Sequence, residues 1–114
     1  MMNYRQKYSM KPRQTESLTK ETRARLKEVF SHYPQITETL LYGSRAKGNF
    51  RDNSDVDLAI KGNGLDRFIV SEILLELQET DIPYLIDLQD YDEIKNFRLK
   101  NHIDRVGKII YQKL

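Results

Sequence analysis

The chain contains no cysteine. That excludes disulfides, a thiolate zinc site and a cysteine nucleophile. It has only two histidines, His32 and His102, far apart and outside any metal-ligand spacing. No apolar run approaches the ~18–20 residues of a membrane-spanning helix. The N-terminus lacks the apolar core of a secretory signal, so a cytoplasmic protein with no membrane association is expected. Low-complexity segments and internal repeats are also missing. Neither sign of charge dominates. The net +2 divides into +4 over residues 1–15, from Arg5, Lys7, Lys11 and Arg13, and −2 over the rest. The first sixteen residues therefore read as a flexible basic arm, and 17–114 as one domain. The chain has no strong positive surface, so direct nucleic-acid binding is not expected.

What is present is 39% hydrophobic and 32% charged over 114 residues, a balance suited to one globular domain. Helix and strand patterns alternate along it. Thr19 is placed to cap a helix carrying Leu26, Val29, Phe30 and Tyr33 on one face, and Pro34 ends it. Ile36 to Tyr42 reads as a strand, 44–47 as a short helix, 48–54 as a polar loop and Val56 to Lys61 as a second strand. After the Gly62-Asn63-Gly64 turn, 66–79 reads as a helix burying Phe68, Ile69, Ile73 and Leu77. A third strand covers Tyr84 to Gln89. A last helix covers 91–105 with Ile94, Phe97 and Ile103 inward, and Lys108 to Tyr111 is a short strand or tail. This order predicts an α/β fold, a small mixed sheet with helices packed on it.

Chemistry concentrates in two places. An apolar run ends in Gly43-Ser44, and ten residues later Asp55-Val56-Asp57 opens the next strand. Glycine lets the backbone approach a ligand closely. Ser44 and the amides after it open a helix, whose N-terminus favours anions. Asp55 and Asp57, two apart on a strand, point to one face. Ionising both there is unfavourable unless a cation sits between them, and Mg²⁺ is held in this way, by one or two carboxylates plus substrate phosphates. Asp87 interrupts the apolar run Leu85-Ile86-Asp87-Leu88, so a buried acid is expected at that point. A lone buried carboxylate is unfavourable unless paired or metal-bound. Beside Asp55 and Asp57 it makes a three-acid site of the kind that holds two metal ions. Arg45 and Lys47, flanking the turn, are expected to face phosphate. The pattern is neither a phosphate-binding Gly-Lys-Ser/Thr loop nor a calcium-binding helical hand.

Gly43-Ser44, ten residues, then Asp55-x-Asp57 resembles the signature of the DNA polymerase β-type nucleotidyltransferase superfamily. The fuller string, Tyr42 to Gly48 and Ser54 to Leu58, resembles its small bacterial and archaeal minimal nucleotidyltransferase (MNT) branch. The likeness continues through Ile86-Asp87-Leu88 and Gly107-Lys108-Ile109-Ile110-Tyr111, covering roughly residues 25–112. It implies the nucleotidyltransferase fold. It also implies a metal-binding and catalytic role for Asp55, Asp57 and Asp87, and nucleotide contacts at Gly43, Ser44, Arg45, Lys47 and Ser54. Mg²⁺, as two ions and replaceable by Mn²⁺, would be the cofactor and ATP or another nucleoside triphosphate the substrate. Family members often carry arginine where Lys47 stands, and lysine keeps the charge without the planar fork. The resemblance further implies a hetero-oligomeric partner, a small all-helical HEPN protein, with the chain as an antitoxin that adenylylates a tyrosine on it. The alternatives are a nucleotide-binding regulatory subunit with little catalysis, and a small-molecule, antibiotic-type nucleotidyltransferase.

Overall fold

The computed structural model describes residues 18–114, so the basic segment 1–16 lies outside the described residues. Helix α1, Lys20–Ser31, starts where the Thr19 side chain accepts a hydrogen bond from the Thr22 N–H at 3.1 Å. Its Leu26, Val29 and Phe30 are buried, and Pro34 stands three residues past its end. Strand β1, Ile36–Tyr42, follows, then the single-turn helix α2, Ser44–Lys47, and β2, Val56–Gly62. Helix α3, Arg67–Gln78, is capped by Asp66, whose carboxylate accepts from the Ile69 N–H at 2.9 Å. Strand β3, Ile86–Asp90, helix α4, Phe97–Val106, and β4, Lys108–Gln112, complete the order. Among the described residues no helix is long and apolar enough to cross a membrane.

The four strands form one mixed sheet in the order β3-β2-β1-β4. β1 pairs antiparallel with β2 and with β4, and β2 pairs parallel with β3 across the α3 connection. Strand alternation sends side chains to two faces. On one, Leu41 of β1, Val56, Leu58 and Ile60 of β2 and Leu88 of β3 meet Leu26, Val29 and Phe30 of α1 and Ile73 and Leu77 of α3. Polar links tie these two helices together. Tyr33 donates to Glu76 Oε1 at 2.8 Å, His32 meets the same carboxylate, and Arg25 pairs with Asp81. On the other face Leu40, Tyr42 and Ala59 pack against Ile94 and Ile103. Helix α4 covers only this part of that face.

Three expectations fail, each for a local reason. Phe68 is 73% exposed, because the buried stripe of α3 runs through Ile69, Ile73 and Leu77, and Phe68 sits a quarter-turn off it beside Arg67. The expected helix 91–105 is broken in two. The Asp90 carboxylate accepts from Asp92 N and sets a 3-10 turn over Tyr91–Glu93. The chain then leaves helical geometry at Ile94. The Asn96 side chain restarts it, accepting from Arg98 N at 2.9 Å and Leu99 N at 3.1 Å. Ile94 is buried all the same, whereas Phe97, the first residue of α4, is 79% exposed.

Candidate active site

The turn after β1 is shaped by glycine. Gly43 has φ 76° and ψ −156°, a region that is essentially glycine-only. A Cβ there would fall 2.2 Å from Asp57 Oδ2. The backbone of the turn therefore lies directly against the Asp57 carboxylate. Ala46 and Lys47 donate back to the Gly43 carbonyl at 3.1 and 3.0 Å, closing α2 immediately after Ser44. Gly48, at φ 89°, ends it.

Sheet register brings the acids into one row. Asp57 is opposite Tyr42 on the antiparallel side and opposite Asp87 on the parallel side. Paired residues share a face, so Tyr42, Asp57 and Asp87 stand side by side, with Asp55 two residues upstream of Asp57. The face is the one α4 partly covers, and the acids lie beyond its cover. Asp57 is half-buried, and Asp55 and Asp87 are exposed. Asp87 is thus not the buried acid expected: β3 is an edge strand, and nothing described packs on its outward face at that point. Burial raises the Asp57 carboxyl above the ordinary aspartate value, and the charges of Asp87 and then Asp55 raise it further. The Tyr42 phenol is also pushed up, by burial first and then by Asp87 and Asp57. Among the described residues no three acidic or imidazole groups converge into a ready-made metal cage. The donor set still fits a hard divalent cation. It offers carboxylate oxygens in a row where they repel one another, a conflict that such a cation resolves.

Arg45 departs from its expected place. It is only 3% exposed, and it turns away from the Gly-Ser turn into the loop before β2. Its Nε and Nη2 donate to the Ser54 carbonyl at 3.1 and 2.9 Å, and Nη2 reaches the Asp52 carbonyl at 3.1 Å. The guanidinium lies 4.2 Å from the Tyr84 ring centroid and 5.1 Å from that of Phe50. Ser54 serves the same loop, its Oγ accepting from Arg51 N at 2.8 Å. These two residues hold the loop that delivers Asp55 to the sheet. Lys47, by contrast, is exposed at the end of α2. Arg45→Lys keeps the charge and loses the fork. It is expected to destabilise the fold by about 1.5–3 kcal/mol, the worth of hydrogen bonds to a charged group. A thermal melt checks this, and an unchanged midpoint would contradict the bracing role.

His102, which lies outside any metal-ligand spacing in the sequence, reaches the Gly43 turn. Its Nε2 accepts the Gly43 N–H at 3.2 Å, and its ring meets Tyr42 edge-on at 6.0 Å. The signal was available in the helical period. Leu99, His102, Ile103 and Val106 follow the i, i+3, i+4, i+7 spacing of an inward face, and choosing Phe97 as an inward position concealed it.

The mixed sheet, with a glycine-serine turn after one strand and acids on the next two, has the nucleotidyltransferase fold. Residues 24–114 match the family model described as Polymerase beta, Nucleotidyltransferase, and the chain belongs to that family. Comparison with curated proteins gives no significant match. Several solved structures share the fold. One is a chain of a toxin–antitoxin complex with AMP-PNP, at TM-score 0.67 and 22% identity, the match covering 80% of this chain and 73% of that one. Another comes from the tri-AMPylated Shewanella oneidensis HEPN toxin in complex with MNT antitoxin, at TM-score 0.64 and 17% identity, covering 84% and 74%. A third, described as a nucleotidyltransferase from Sulfolobus solfataricus, aligns at TM-score 0.54 and 19% identity over 99% and 93% of the two chains.

Proposed function

We propose that the chain transfers AMP, or another nucleoside monophosphate, from the triphosphate to a hydroxyl, and that the acceptor is a tyrosine of an all-helical HEPN-type partner that the chain thereby restrains as an antitoxin. The observation that carries the transfer chemistry is the row Tyr42–Asp57–Asp87 packed against the Gly43–Ser44 turn. The turn and Ser44 would hold the β- and γ-phosphates. Asp55 and Asp57, with Asp87, would hold Mg²⁺, which when bound neutralises phosphate charge and polarises the reacting oxygens. Asp87, exposed at the edge of the row, would take the acceptor proton as the hydroxyl oxygen bonds to the α-phosphorus and pyrophosphate leaves. Positioning and charge compensation supply most of the rate.

The acceptor assignment is supported by likeness of fold to toxin–antitoxin structures, one of which holds an AMPylated HEPN toxin. It also fits a site face on which α4 leaves the acids uncovered. The test is intact-mass spectrometry of the HEPN-type partner after incubation with the chain, ATP and Mg²⁺. The expected result is one added nucleoside monophosphate per modified side chain, mapped to tyrosine. An unchanged partner mass, under conditions where the chain nucleotidylates a small alcohol or an antibiotic, would replace this acceptor with a small molecule. Metal-dependent ATP binding with no transfer to either would leave a regulatory nucleotide-binding subunit.

A further inference from the structure

We infer that His102 is a positioning residue for the nucleotide: its neutral imidazole, accepting the Gly43 N–H, fixes the Gly43–Ser44 turn against Asp57. The ligand named here rests on the reading under Proposed function, whereas the contact itself does not. Helix α4 docks on the sheet through Ile103, with Leu99 and Val106 beside it, against Leu40, Tyr42 and Ala59. That docking carries His102 to the end of β1. There the ladder stops at Tyr42, so the next amide, Gly43 N–H, has left the pairing pattern and needs another acceptor. Nε2 supplies it at 3.2 Å. A nitrogen that accepts an N–H carries no proton of its own, so the ring is the neutral tautomer protonated on Nδ1.

The consequence lies in what the turn touches. Glycine at φ 76° has no side chain to restrain it, and the space a Cβ would fill is occupied by Asp57 Oδ2 at 2.2 Å. A turn free to shift would move Ser44 relative to the carboxylate that must hold the same triphosphate's metal. Such a shift weakens the hold on the β- and γ-phosphates, which is needed equally in ground and transition state, so it appears in affinity rather than in kcat. The edge-on contact with Tyr42 keeps the imidazole plane in place. One side chain of α4 thus touches both the Gly43 turn and Tyr42, the residue paired with Asp57.

Three variants of one position and one spectrum test this. His102→Phe retains a ring against Tyr42 and removes the acceptor. His102→Gln places an amide oxygen near the position of Nε2. The Phe variant is expected to raise the Kd for Mg·ATP and the KM roughly five- to tenfold, the worth of one hydrogen bond, with kcat within about twofold. The Gln variant is expected to recover most of that loss, and His102→Ala to behave like Phe. A merely structural role would move melting temperatures and leave no such separation between Phe and Gln. Wild-type nucleotide affinity in the Phe variant, or equal losses in Phe and Gln, would overturn the inference. The nucleotide-free wild-type protein gives an independent reading by long-range ¹H–¹⁵N correlation of the imidazole. An Nδ1-protonated His102 coupled across to the Gly43 amide is expected, and an Nε2-protonated ring would overturn the assignment. Since that spectrum needs no nucleotide, wild-type protein that binds no Mg·ATP would count against the proposed function alone.

Discussion

Asp57→Asn is expected to abolish metal-dependent ATP binding and transfer while the fold persists. Asp57 is the junction of the site: it pairs with Tyr42 on one side and Asp87 on the other, and the Gly43 backbone rests on its carboxylate. Removing the charge at that point should weaken metal-nucleotide binding by more than the roughly 10–100-fold typical of losing an outer-shell partner of a metal. The same substitution should raise stability when no divalent cation is present. Burial, Asp87 and Asp55 all raise the carboxyl of Asp57 in the folded state. A group raised in this way leaves stability intact while it is protonated, below its unfolded value, and stability is lost as pH rises through the folded value. Above that value the wild-type protein carries an ionised acid that the folded state disfavours, and Asn relieves it. The melting-temperature advantage of the variant should shrink as pH falls from the raised folded value of Asp57 toward the ordinary aspartate value, and be gone below it. Added Mg²⁺ should stabilise wild type and not the variant. Calorimetric titration with ATP and Mg²⁺, together with melts across pH, measures both. Unchanged metal-dependent ATP binding in an Asp55→Asn, Asp57→Asn double variant would remove these residues from the site.

The half of the site carried by β1 and β2 was legible in the sequence because its signals are local. Strand β1 has its expected bounds, since Pro34 precedes it and Gly43 follows. α2 and the start of β2 also fall where the Gly-Ser turn and the Asp-x-Asp alternation put them. What the sequence hid depends on pairing and direction. Asp87 has the right neighbour, but its exposure follows from β3 being the edge strand, which no local pattern states. Arg45 stands one residue from Ser44, yet in a single-turn helix neighbours point differently, and this one points to the carbonyls of residues 52 and 54. His102 lies 59 residues from Gly43. Only the break after Asp90 and the restart at Asn96 set the phase of α4 that joins them. Both caps were visible as residue types. Their effect was missed because Ile94 and Phe97 suggested one continuous apolar face.

Asp87→Asn should separate binding from turnover. Asp87 occupies the open end of the row, on the edge strand, with its side chain exposed. On the proposed reading an incoming acceptor would meet it first, whereas Asp57 lies against the turn. If Asp87 takes the proton of the acceptor hydroxyl, its loss should lower kcat by roughly 10²–10⁴. ATP affinity should change far less, because Asp55 and Asp57 would still hold the metal against the phosphates. The substitution also acts on its neighbour. Asp87 is the second cause, after burial, of the raised Asp57 carboxyl, so its removal should bring Asp57 part of the way back toward the ordinary aspartate value and leave the burial contribution in place. The metal-free stability gained at neutral pH should accordingly be smaller than for Asp57→Asn. Single-turnover rates measured beside ATP titrations distinguish these effects. A variant that binds ATP normally and turns over near the wild-type rate would rule out Asp87 as the base. One that loses binding and turnover together would make it chiefly a metal ligand.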